Sequence, residues 1–384
     1  MGWNSWNWWG KRQVNERLVR ETIDAIVDSG LKDAGYEYVV VDGGWRDNHL
    51  ADTGELLQHP QRFPSGMKAL ADYAHSKGLK FGLHTVPGTL DCGGDKVGAW
   101  GIEEVHIRQF VDWGIDFIKL DRCKFVLPEG LDGSLPTGQA QGWTAQRIET
   151  AYRNWHDLLG RCGRRILLSA SAYRYYDWYP AVAQMGRTTG DIRSRQSGGA
   201  VFEGCKHSVM AIAELNNAAA RHAGQGYWND PDMLVTGEQG LNQEEQKTHF
   251  ALWCVISAPL MLGNDPRVMT EAEKSIVLNR ECIIIDQDPS EQGRRIRKDG
   301  DAEVWAKKLT GARMAVLLLN RNPTETNAVS ADWKLLGLSG KMSVKDVYGK
   351  TDLGLIDKGV SLRCPPHGCR LLLLSPGTTP AASH

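Results

Sequence analysis

The sequence has almost no net charge and no long apolar run. Over 384 residues, Lys and Arg total 45 and Asp and Glu total 46, which leaves a formal charge of −1. Without a basic excess there is little to neutralise phosphates, so nucleic acid is not an expected partner. The apolar runs 314–319 and 371–374 have the length of strands, whereas a membrane helix needs roughly 20 residues. No membrane span is therefore expected.

Cysteine is sparse, and several catalytic motifs are absent. The 8 cysteines form no CxxC pair, and neither HExxH nor GxSxG occurs. No GxGxxG or GxxxxGK[ST] turn follows the first predicted strand. These absences argue against a zinc finger or zinc hydrolase, an α/β-hydrolase and a nucleotide-binding sheet, so neither a metal nor a cofactor is expected. The first residues lack a basic region followed by an apolar stretch, so we expect no signal peptide in this chain.

What is abundant is tryptophan. The chain has 14 Trp against 10 Tyr and 7 Phe, and 41% of its residues are hydrophobic, as in an ordinary folded protein. One interpretation is a large, well-packed core. The other is that flat indoles line a site for a ligand with apolar faces and polar edges, such as a sugar ring. The composition leaves both open.

Helix-like and strand-like segments alternate from residue 1 to about 290. Helical spacing of apolar residues over 14–29 precedes a buried strand at 38–41, which ends at Asp42. Similar pairs follow along the chain: helices 67–77, 103–113 and 145–159 with strands 79–85, 115–120 and 165–169, and shorter candidates at 182–185, 226–228 and 258–260. With a first strand at the N-terminus this gives about eight βα units. The pattern predicts an α/β protein with a (β/α)8 TIM barrel, and an open doubly wound sheet is the alternative.

The pattern changes after about residue 290. Short strand-like segments separated by turn signals occur at 303–307, 314–320, 343–347, 359–364 and 369–374. They predict a C-terminal antiparallel β-sandwich domain. We therefore expect a catalytic barrel over 1–290, a β domain over 291–376 and a tail over 377–384.

Carboxylates cluster where the predicted barrel strands end. Asp121 ends an apolar strand, with Lys119 two residues earlier on the same face. Asp191 stands beside Arg187, and Asp232 follows another candidate strand. Because a barrel gathers the carboxyl ends of its strands at one face, these groups predict a ring of carboxylates together with Asp42. Two such carboxylates can hydrolyse a glycosidic bond.

Several segments, taken in their order along the chain, resemble one known family. They are Gly2-Trp-Asn-Ser-Trp6, Lys32-Asp-Ala-Gly-Tyr36, Arg62-Phe-Pro-Ser-Gly66-Met67, Lys119-Leu-Asp121-Arg-Cys123, Trp228-Asn-Asp-Pro-Asp-Met-Leu234 and Ala258-Pro-Leu260. The set is similar to glycoside hydrolase family 27, which contains α-galactosidases and α-N-acetylgalactosaminidases. The resemblance covers residues 1 to about 290.

The resemblance implies a retaining, metal-free glycosidase. Asp121 matches the family's nucleophile and Asp191 matches its general acid/base. Positions that match sugar contacts of the family are Trp6, Asp42, Lys119, Arg187, Asp232 and Met233. Cys92 and Cys123 match a family disulfide at the rim of the pocket. If that bond forms, the resemblance implies a secreted, periplasmic or lysosome-like protein.

The chain departs from the family pattern at positions that read the sugar. It has Asp42-Gly43 where relatives carry two Asp, and His84 where they carry Tyr. The loop that reads the 2-position holds Ser171, Arg174 and Tyr175. An exo-acting α-galactosidase is therefore the expectation, and α-N-acetylgalactosaminidase, β-L-arabinopyranosidase and isomalto-dextranase activities are alternatives within the family.

The expected partner is an oligosaccharide or glycoconjugate substrate, and a homo-oligomer is left open. A non-catalytic carbohydrate-binding barrel is an alternative from another class, although it would have no need of both Asp121 and Asp191. A sugar isomerase or aldolase on the same barrel is a third. Of the tryptophans, Trp3, Trp6, Trp45 and Trp228 are predicted to face the pocket, and others are predicted to pack in helices.

Overall fold

The computed structural model describes residues 1–123, 125 and 142–377. Residues 378–384, nearly all of the predicted tail, lie outside the described residues. Within the described part of the chain, no helix combines the length and apolar character that crossing a membrane requires.

The first sheet has eight parallel strands, and a small hairpin lies between its second and third strands in the chain. The sheet order is β10-β1-β2-β5-β6-β7-β8-β9, and β3 pairs antiparallel with β4. The bounds are β1 Gly2–Asn4, β2 Tyr38–Val41, β3 Arg46–Leu50, β4 Leu56–Gln58, β5 Lys80–Thr85, β6 Phe117–Asp121, β7 Leu167–Ser171, β8 Met185–Arg187, β9 Trp228–Asp230 and β10 Met261–Leu262.

One backbone bridge closes this sheet into a barrel. Leu234, four residues after β9, pairs in parallel with Leu262 of β10. The amide of Leu234 donates to the carbonyl of Met261 at 2.8 Å, and Gly263 donates back to Leu234 at 3.0 Å. Since β10 also pairs with β1, the ring of strands is complete. The predicted (β/α)8 architecture is confirmed.

Helices alternate with these strands along the chain. Their bounds are α1 Trp6–Gln13, α2 Glu16–Asp28, α3 Gly66–Ser76, α4 Glu103–Asp112, α5 Gly142–Arg161, α6 Val209–Ala218, α7 Gln243–Val255, α8 Glu271–Val277 and α9 Arg280–Gln287. Helix α2 illustrates why they form: the Asn15 side chain caps its start by accepting from the Leu18 amide at 3.1 Å. Its residues Val19, Ile23 and Ile26 are buried at helical spacing.

Local pattern predicts the long elements better than the short strands. The strand predicted at 38–41 occupies Tyr38–Val41, and the helix predicted at 103–113 is α4. The strand predicted at 258–260 forms later, at Met261–Leu262. Two-residue and three-residue strands carry too few side chains to define a period, so their position depends on pairing with neighbours.

The C-terminal part of the chain contains two antiparallel sheets. Six strands form one sheet in the order β11-β12-β13-β18-β15-β16, and β14 pairs with β17 in the other. The bounds are β11 Arg294–Asp299, β12 Ala302–Lys308, β13 Met314–Asn320, β14 Asn327–Asp332, β15 Met342–Asp346, β16 Thr351–Ile356, β17 Gly359–Cys364 and β18 Cys369–Pro376. The predicted β-sandwich is confirmed.

A single apolar cluster joins these two sheets. It includes Val316 and Leu372 from the larger sheet and Val329 and Val360 from the smaller one. Alternate residues of β12, β13, β14, β15, β17 and β18 enter this cluster, as expected for a sandwich core. Strands β11 and β16 lie at the two edges of the larger sheet and have no sequence prediction, because their charged or exposed residues show little apolar alternation.

By its internal contacts the chain divides into two compact units. The first comprises Met1–Asn216, Gly226–Gly240 and Pro259–Thr270 and contains the barrel strands; the second comprises Asn217–Gln225, Leu241–Ala258 and Glu271–His384. The predicted boundary between residues 290 and 291 stays a prediction.

Candidate active site

The carboxyl ends of the barrel strands surround one cavity of about 260 Å³. Among the described residues, seven of the eight strands, or the turns after them, supply polar groups, as is usual at this face of a (β/α)8 barrel; β10 supplies none. Met233 closes part of the floor, where it packs with Val40, Phe117, Met185 and Met261 inside the barrel. The residues around the cavity include Trp6, Asp42, His84, Cys92, Lys119, Asp121, Tyr173, Arg187, Asp191, Asp232 and Met233.

Asp121 lies at the bottom of this cavity and is held by several donors. Its Oδ1 accepts from the Cys123 amide at 2.8 Å and from the Tyr173 hydroxyl at 2.5 Å. Its Oδ2 accepts from the Ser171 hydroxyl at 3.3 Å, and Lys119 Nζ is 3.8 Å away. Donors that converge on both oxygens of a carboxylate fix its orientation.

Asp191 lies at the mouth of the cavity. Its side chain is 61% exposed, against 6% for Asp121. The guanidinium of Arg187 joins Asp191 to the buried Asp232, with Nη2 at 3.1 Å from the former and 2.9 Å from the latter. The two predicted catalytic carboxyl groups thus share one cavity and differ strongly in access to water.

Burial and ion pairing set the charges around Arg187. Burial acts to lower the pKa of Arg187, but Asp232 and Asp191 outweigh it and hold this pKa above its usual value. Burial raises the pKa of Asp232 to about 6, although Arg187 opposes the rise. Asp232 also accepts from the amides of Ile192 and Met233, each at 2.8 Å. Arg187 therefore stays cationic and is fixed in place.

A second buried ion pair joins Asp42 and Lys119. Lys119 Nζ lies 2.8 Å from Asp42 Oδ2, and Asn4 donates to the same oxygen at 2.9 Å. Burial acts to raise the pKa of Asp42, but Lys119 is the leading influence that instead holds this pKa well below its usual value.

The turn after Asp42 requires glycine at position 44. The φ of Gly44 is 110°, and a Cβ there would lie 2.3 Å from the Lys11 carbonyl oxygen.

A disulfide borders the cavity. Cys92 and Cys123 are bonded, with their Cα atoms 4.9 Å apart, as the family resemblance implies. Together with His84 and Asp121 they place four potential metal-ligating atoms within 4.8 Å of one another. The two sulfur atoms are oxidised to a disulfide and so offer no thiolate, which leaves only His84 and Asp121 as ligands in this group.

Comparison with known proteins gives this geometry a family. A family model described as alpha galactosidase A matches residues 9–288, and one described as alpha galactosidase C-terminal beta sandwich domain matches residues 299–374. Alpha-galactosidase 2 of Arabidopsis thaliana is 35% identical over 98% of this chain and 89% of its own length. The chain belongs to glycoside hydrolase family 27.

Solved structures agree with this assignment. Alpha-galactosidase I of Mortierella vinacea superimposes with a TM-score of 0.86 and 31% identity, over 97% of this chain and 96% of that one. A β-L-arabinopyranosidase of this family from Geobacillus stearothermophilus, in complex with arabinose, gives 0.82 and 25%, over 98% and 97%. The family-27 chain is therefore an O-glycosyl hydrolase.

Some residues predicted for the site of this family-27 protein lie elsewhere. Arg174 and Tyr175 are not among the described residues that line the cavity, and they contact Tyr176 and Tyr179 instead. The expectation that Trp3 and Trp45 face the pocket is wrong: both are fully buried in the core. Trp228 is likewise not among the residues that line the cavity. Ser171 is fully buried and reaches the site only through Asp121.

Sequence reasoning missed Tyr173, Arg46 and Asp91 in this family-27 site. Tyr173 has a φ of 64°, which is uncommon outside glycine, and no local pattern predicts that its ring lies in the cavity. Arg46 and Asp91 come from the β3 segment and the loop after β5, and they meet only in the folded chain, at 3.9 Å. The nearest signal is the pair of carboxylates Asp91 and Asp95, four residues apart with Cys92 between them.

Proposed function

We propose that this chain is an exo-acting, retaining α-galactosidase. The observation that carries the proposal is that Asp121 and Asp191 line one cavity, one of them buried among donors and the other open to water. A retaining glycosidase needs these two environments, because one carboxylate must attack the sugar and the other must exchange protons with the aglycone and with water.

In the first step the glycosidic bond breaks. Asp191 donates its proton to the glycosidic oxygen, while Oδ2 of Asp121 forms a bond to the anomeric carbon and the aglycone leaves as an alcohol. Oδ1 of Asp121 already accepts two hydrogen bonds, from Cys123 and Tyr173, so Oδ2 is the better-placed nucleophilic atom.

In the second step water releases the sugar. Asp191, now ionised, removes a proton from a water molecule, whose oxygen attacks the anomeric carbon. The bond to Asp121 breaks, and its carboxylate is restored among the same donors. The exposure of Asp191 suits it to receive both the aglycone and this water.

The cavity suits a single terminal sugar. At about 260 Å³ it is smaller than the roughly 300–1,000 Å³ of pockets for drug-sized ligands. Trp6 offers an aromatic face, and Asp42, Lys119 and Arg187 offer charged groups for hydroxyls. An apolar face with charged groups around it fits a pyranose.

A hydroxyl at the sugar's 2-position fits better than an acetamido group. Ser171 is fully buried, and its hydroxyl is engaged by Asp121, so it opens no room beside the ring. The α-galactosidase relatives at 31% and 35% identity support galactose as the sugar. A β-L-arabinopyranoside is the second candidate, since the Geobacillus relative carries that name and Gly43 adds no side chain at its edge of the cavity.

A substrate panel tests the proposal. Purified protein is assayed with aryl α-D-galactoside, α-N-acetylgalactosaminide, α-D-glucoside and β-L-arabinopyranoside. We expect the highest kcat/KM on the α-galactoside, and Asp121→Asn to lose about 10⁴-fold or more of kcat. A non-catalytic sugar-binding barrel would bind galactose without turning over any substrate, and full activity of Asp121→Asn would overturn the role of this residue.

The disulfide supports maturation in an oxidising compartment. Cys92–Cys123 ties the loop after β5 to the residue that donates to Asp121. Such bonds persist in secreted, periplasmic or lysosome-like environments and not in a reducing cytosol. We expect peptide mapping of the protein from its native source to recover the Cys92–Cys123 pair under non-reducing conditions. Recovery of both cysteines as free thiols would contradict this assignment.

A further inference from the structure

Arg46 is a buried cation that faces the imidazole of His84. Its side chain is 3% exposed, and Nη2 lies 3.4 Å from Nδ1 of His84. Nη1 of the guanidinium donates to the hydroxyl oxygen of Thr85 at 3.3 Å. The guanidinium carbon Cζ lies 5.6 Å from the centre of the Trp45 ring. Asp91 balances its charge at 3.9 Å. Arg46 is thus fixed in one orientation toward His84.

This contact determines which nitrogen of His84 carries the proton. A guanidinium has only donors, so Nδ1 of His84 must be the acceptor. Burial lowers the pKa of His84 below its usual value, which keeps the imidazole neutral at pH 7. A neutral imidazole that accepts at Nδ1 carries its proton on Nε2.

The Nε2 atom of His84 faces the proposed sugar-binding cavity. His84 lines that cavity, and Nε2 lies 3.9 Å from Asp121 Oδ2, which is beyond hydrogen-bond distance. A disulfide sulfur of Cys123, a weak acceptor, is 4.0 Å away. The N–H group is therefore directed to a place where a ligand oxygen can become its partner.

We infer that Arg46 is a positioning residue that holds His84 as the Nε2–H tautomer, and that His84 thereby donates a hydrogen bond to a hydroxyl oxygen of the bound sugar. The inference rests on the proposed function and deepens it. Along this wall of the cavity the protein reads an acceptor on the substrate, so a sugar without a hydroxyl there is bound and turned over less well.

The tautomer is measured without any assay of activity. Full-length protein labelled with ¹⁵N-histidine is examined by long-range ¹H–¹⁵N correlation, with His84→Gln to assign the signal, alone and with galactose. We expect Nδ1 of His84 to be unprotonated and Nε2 to be protonated in both samples. A proton on Nδ1, or on both nitrogens at pH 7, would overturn the inference, even if the protein is an active α-galactosidase.

A double-mutant cycle tests whether Arg46 acts through His84. The amide of His84→Gln retains an N–H donor that has no tautomer to control. In the protein that retains His84, Arg46→Met is expected to lower kcat/KM on aryl α-galactoside by about tenfold. In the His84→Gln protein the same substitution should have little effect. Equal losses in both backgrounds would make Arg46 merely structural. Because loss of a buried cation can unfold a protein, Arg46→Lys is measured in parallel, and circular dichroism checks each fold.

Monodeoxy substrates identify the oxygen that His84 reads. Aryl α-galactosides that lack the hydroxyl at C2, C3, C4 or C6 are compared on the wild type and on His84→Leu. At one position we expect kcat/KM of the wild type to be about tenfold lower for the deoxy substrate than for the parent galactoside. On His84→Leu the deoxy and parent substrates should have equal kcat/KM at that position. Losses that are additive at every position would overturn the hydrogen bond. If no galactoside is turned over, the proposed function fails, and the same NMR measurement on wild type and Arg46→Met still shows whether Arg46 sets the tautomer of His84.

Discussion

The hydroxyl of Tyr173 lies 2.5 Å from Oδ1 of Asp121 and is the shortest contact that this carboxylate makes among the described residues. Burial raises the pKa of Tyr173 well above its usual value, and Asp121 adds to the rise, so the phenol is the donor. With Oδ1 engaged by Tyr173 and by the Cys123 amide, Oδ2 is left facing Ser171 and the cavity. This relationship underlies the first prediction.

We predict that Tyr173→Phe lowers kcat on aryl α-galactoside by about tenfold to a hundredfold, the range for a hydrogen bond to a charged group. Losing the donor leaves Oδ1 of Asp121 with only the Cys123 amide as a partner there, so the carboxylate is held less firmly for attack. The measurement is kcat and kcat/KM of the variant beside the wild type. Tyr175→Phe, outside the cavity, is the control. If the two variants behave alike, the hydrogen bond has no catalytic role.

The ion pair between Asp42 and Lys119 should matter for stability as well as activity. We predict that Lys119→Met lowers the free energy of unfolding by about 3 kcal/mol, because it leaves a buried carboxylate unpaired. Adding Asp42→Asn should recover part of the stability and none of the activity. Urea denaturation measures the first effect. The exposed pair Lys68–Asp72, at a similar 2.8 Å, is the control, and Lys68→Met should cost less than about 1 kcal/mol. Equal costs at both sites would contradict this account.

Glu238 predicts a pH dependence of stability. It is buried, and it accepts from Asn7 at 3.0 Å and from the Arg195 amide at 2.8 Å. Burial raises its pKa from 4.5 to about 7. Between pH 4.5 and about 7, Glu238 is therefore protonated in the folded state and ionised in the unfolded chain. The stability from this group is fully present below pH 4.5 and is lost as pH rises toward 7.

We predict that Glu238→Gln gains stability relative to the wild type as pH rises from 5 to 7, by about 2 kcal/mol. The variant has no carboxyl group to ionise, so it escapes the destabilisation of the wild type. Urea denaturation at pH 5, 6 and 7 gives the difference directly. Glu104→Gln, on the surface, should show no such trend. If the difference in free energy of unfolding between Glu238→Gln and the wild type stays constant across this range, burial does not raise the pKa of Glu238.

The sequence predicts the parts of the site that depend on strand ends. Asp42 follows the apolar strand β2 and Asp121 ends β6, and parallel strands in a barrel bring such residues to one face. Helical spacing and continuous apolar runs likewise identify the longer helices and strands. These features are local, so a single sequence carries them.

The rest depends on contacts between distant segments. Arg46 begins a short hairpin strand, and only the fold places it beside His84, 38 residues away. Tyr173 reaches the cavity because its backbone has a positive φ, which the identity of the residue does not predict. Trp45 was expected at the cavity and instead donates to the His84 carbonyl oxygen from within the core. Local periodicity carries no information about such pairings.

The stereochemistry of the first product tests the central claim most directly. Hydrolysis of an aryl α-D-galactoside is followed by ¹H NMR from the first minutes, before the released sugar mutarotates. We expect α-galactose to appear first and the β-anomer to follow, because two displacements, at Asp121 and then by water, restore the original configuration. Release of β-galactose as the first product would require a single displacement and would contradict the assignment of Asp121 as nucleophile.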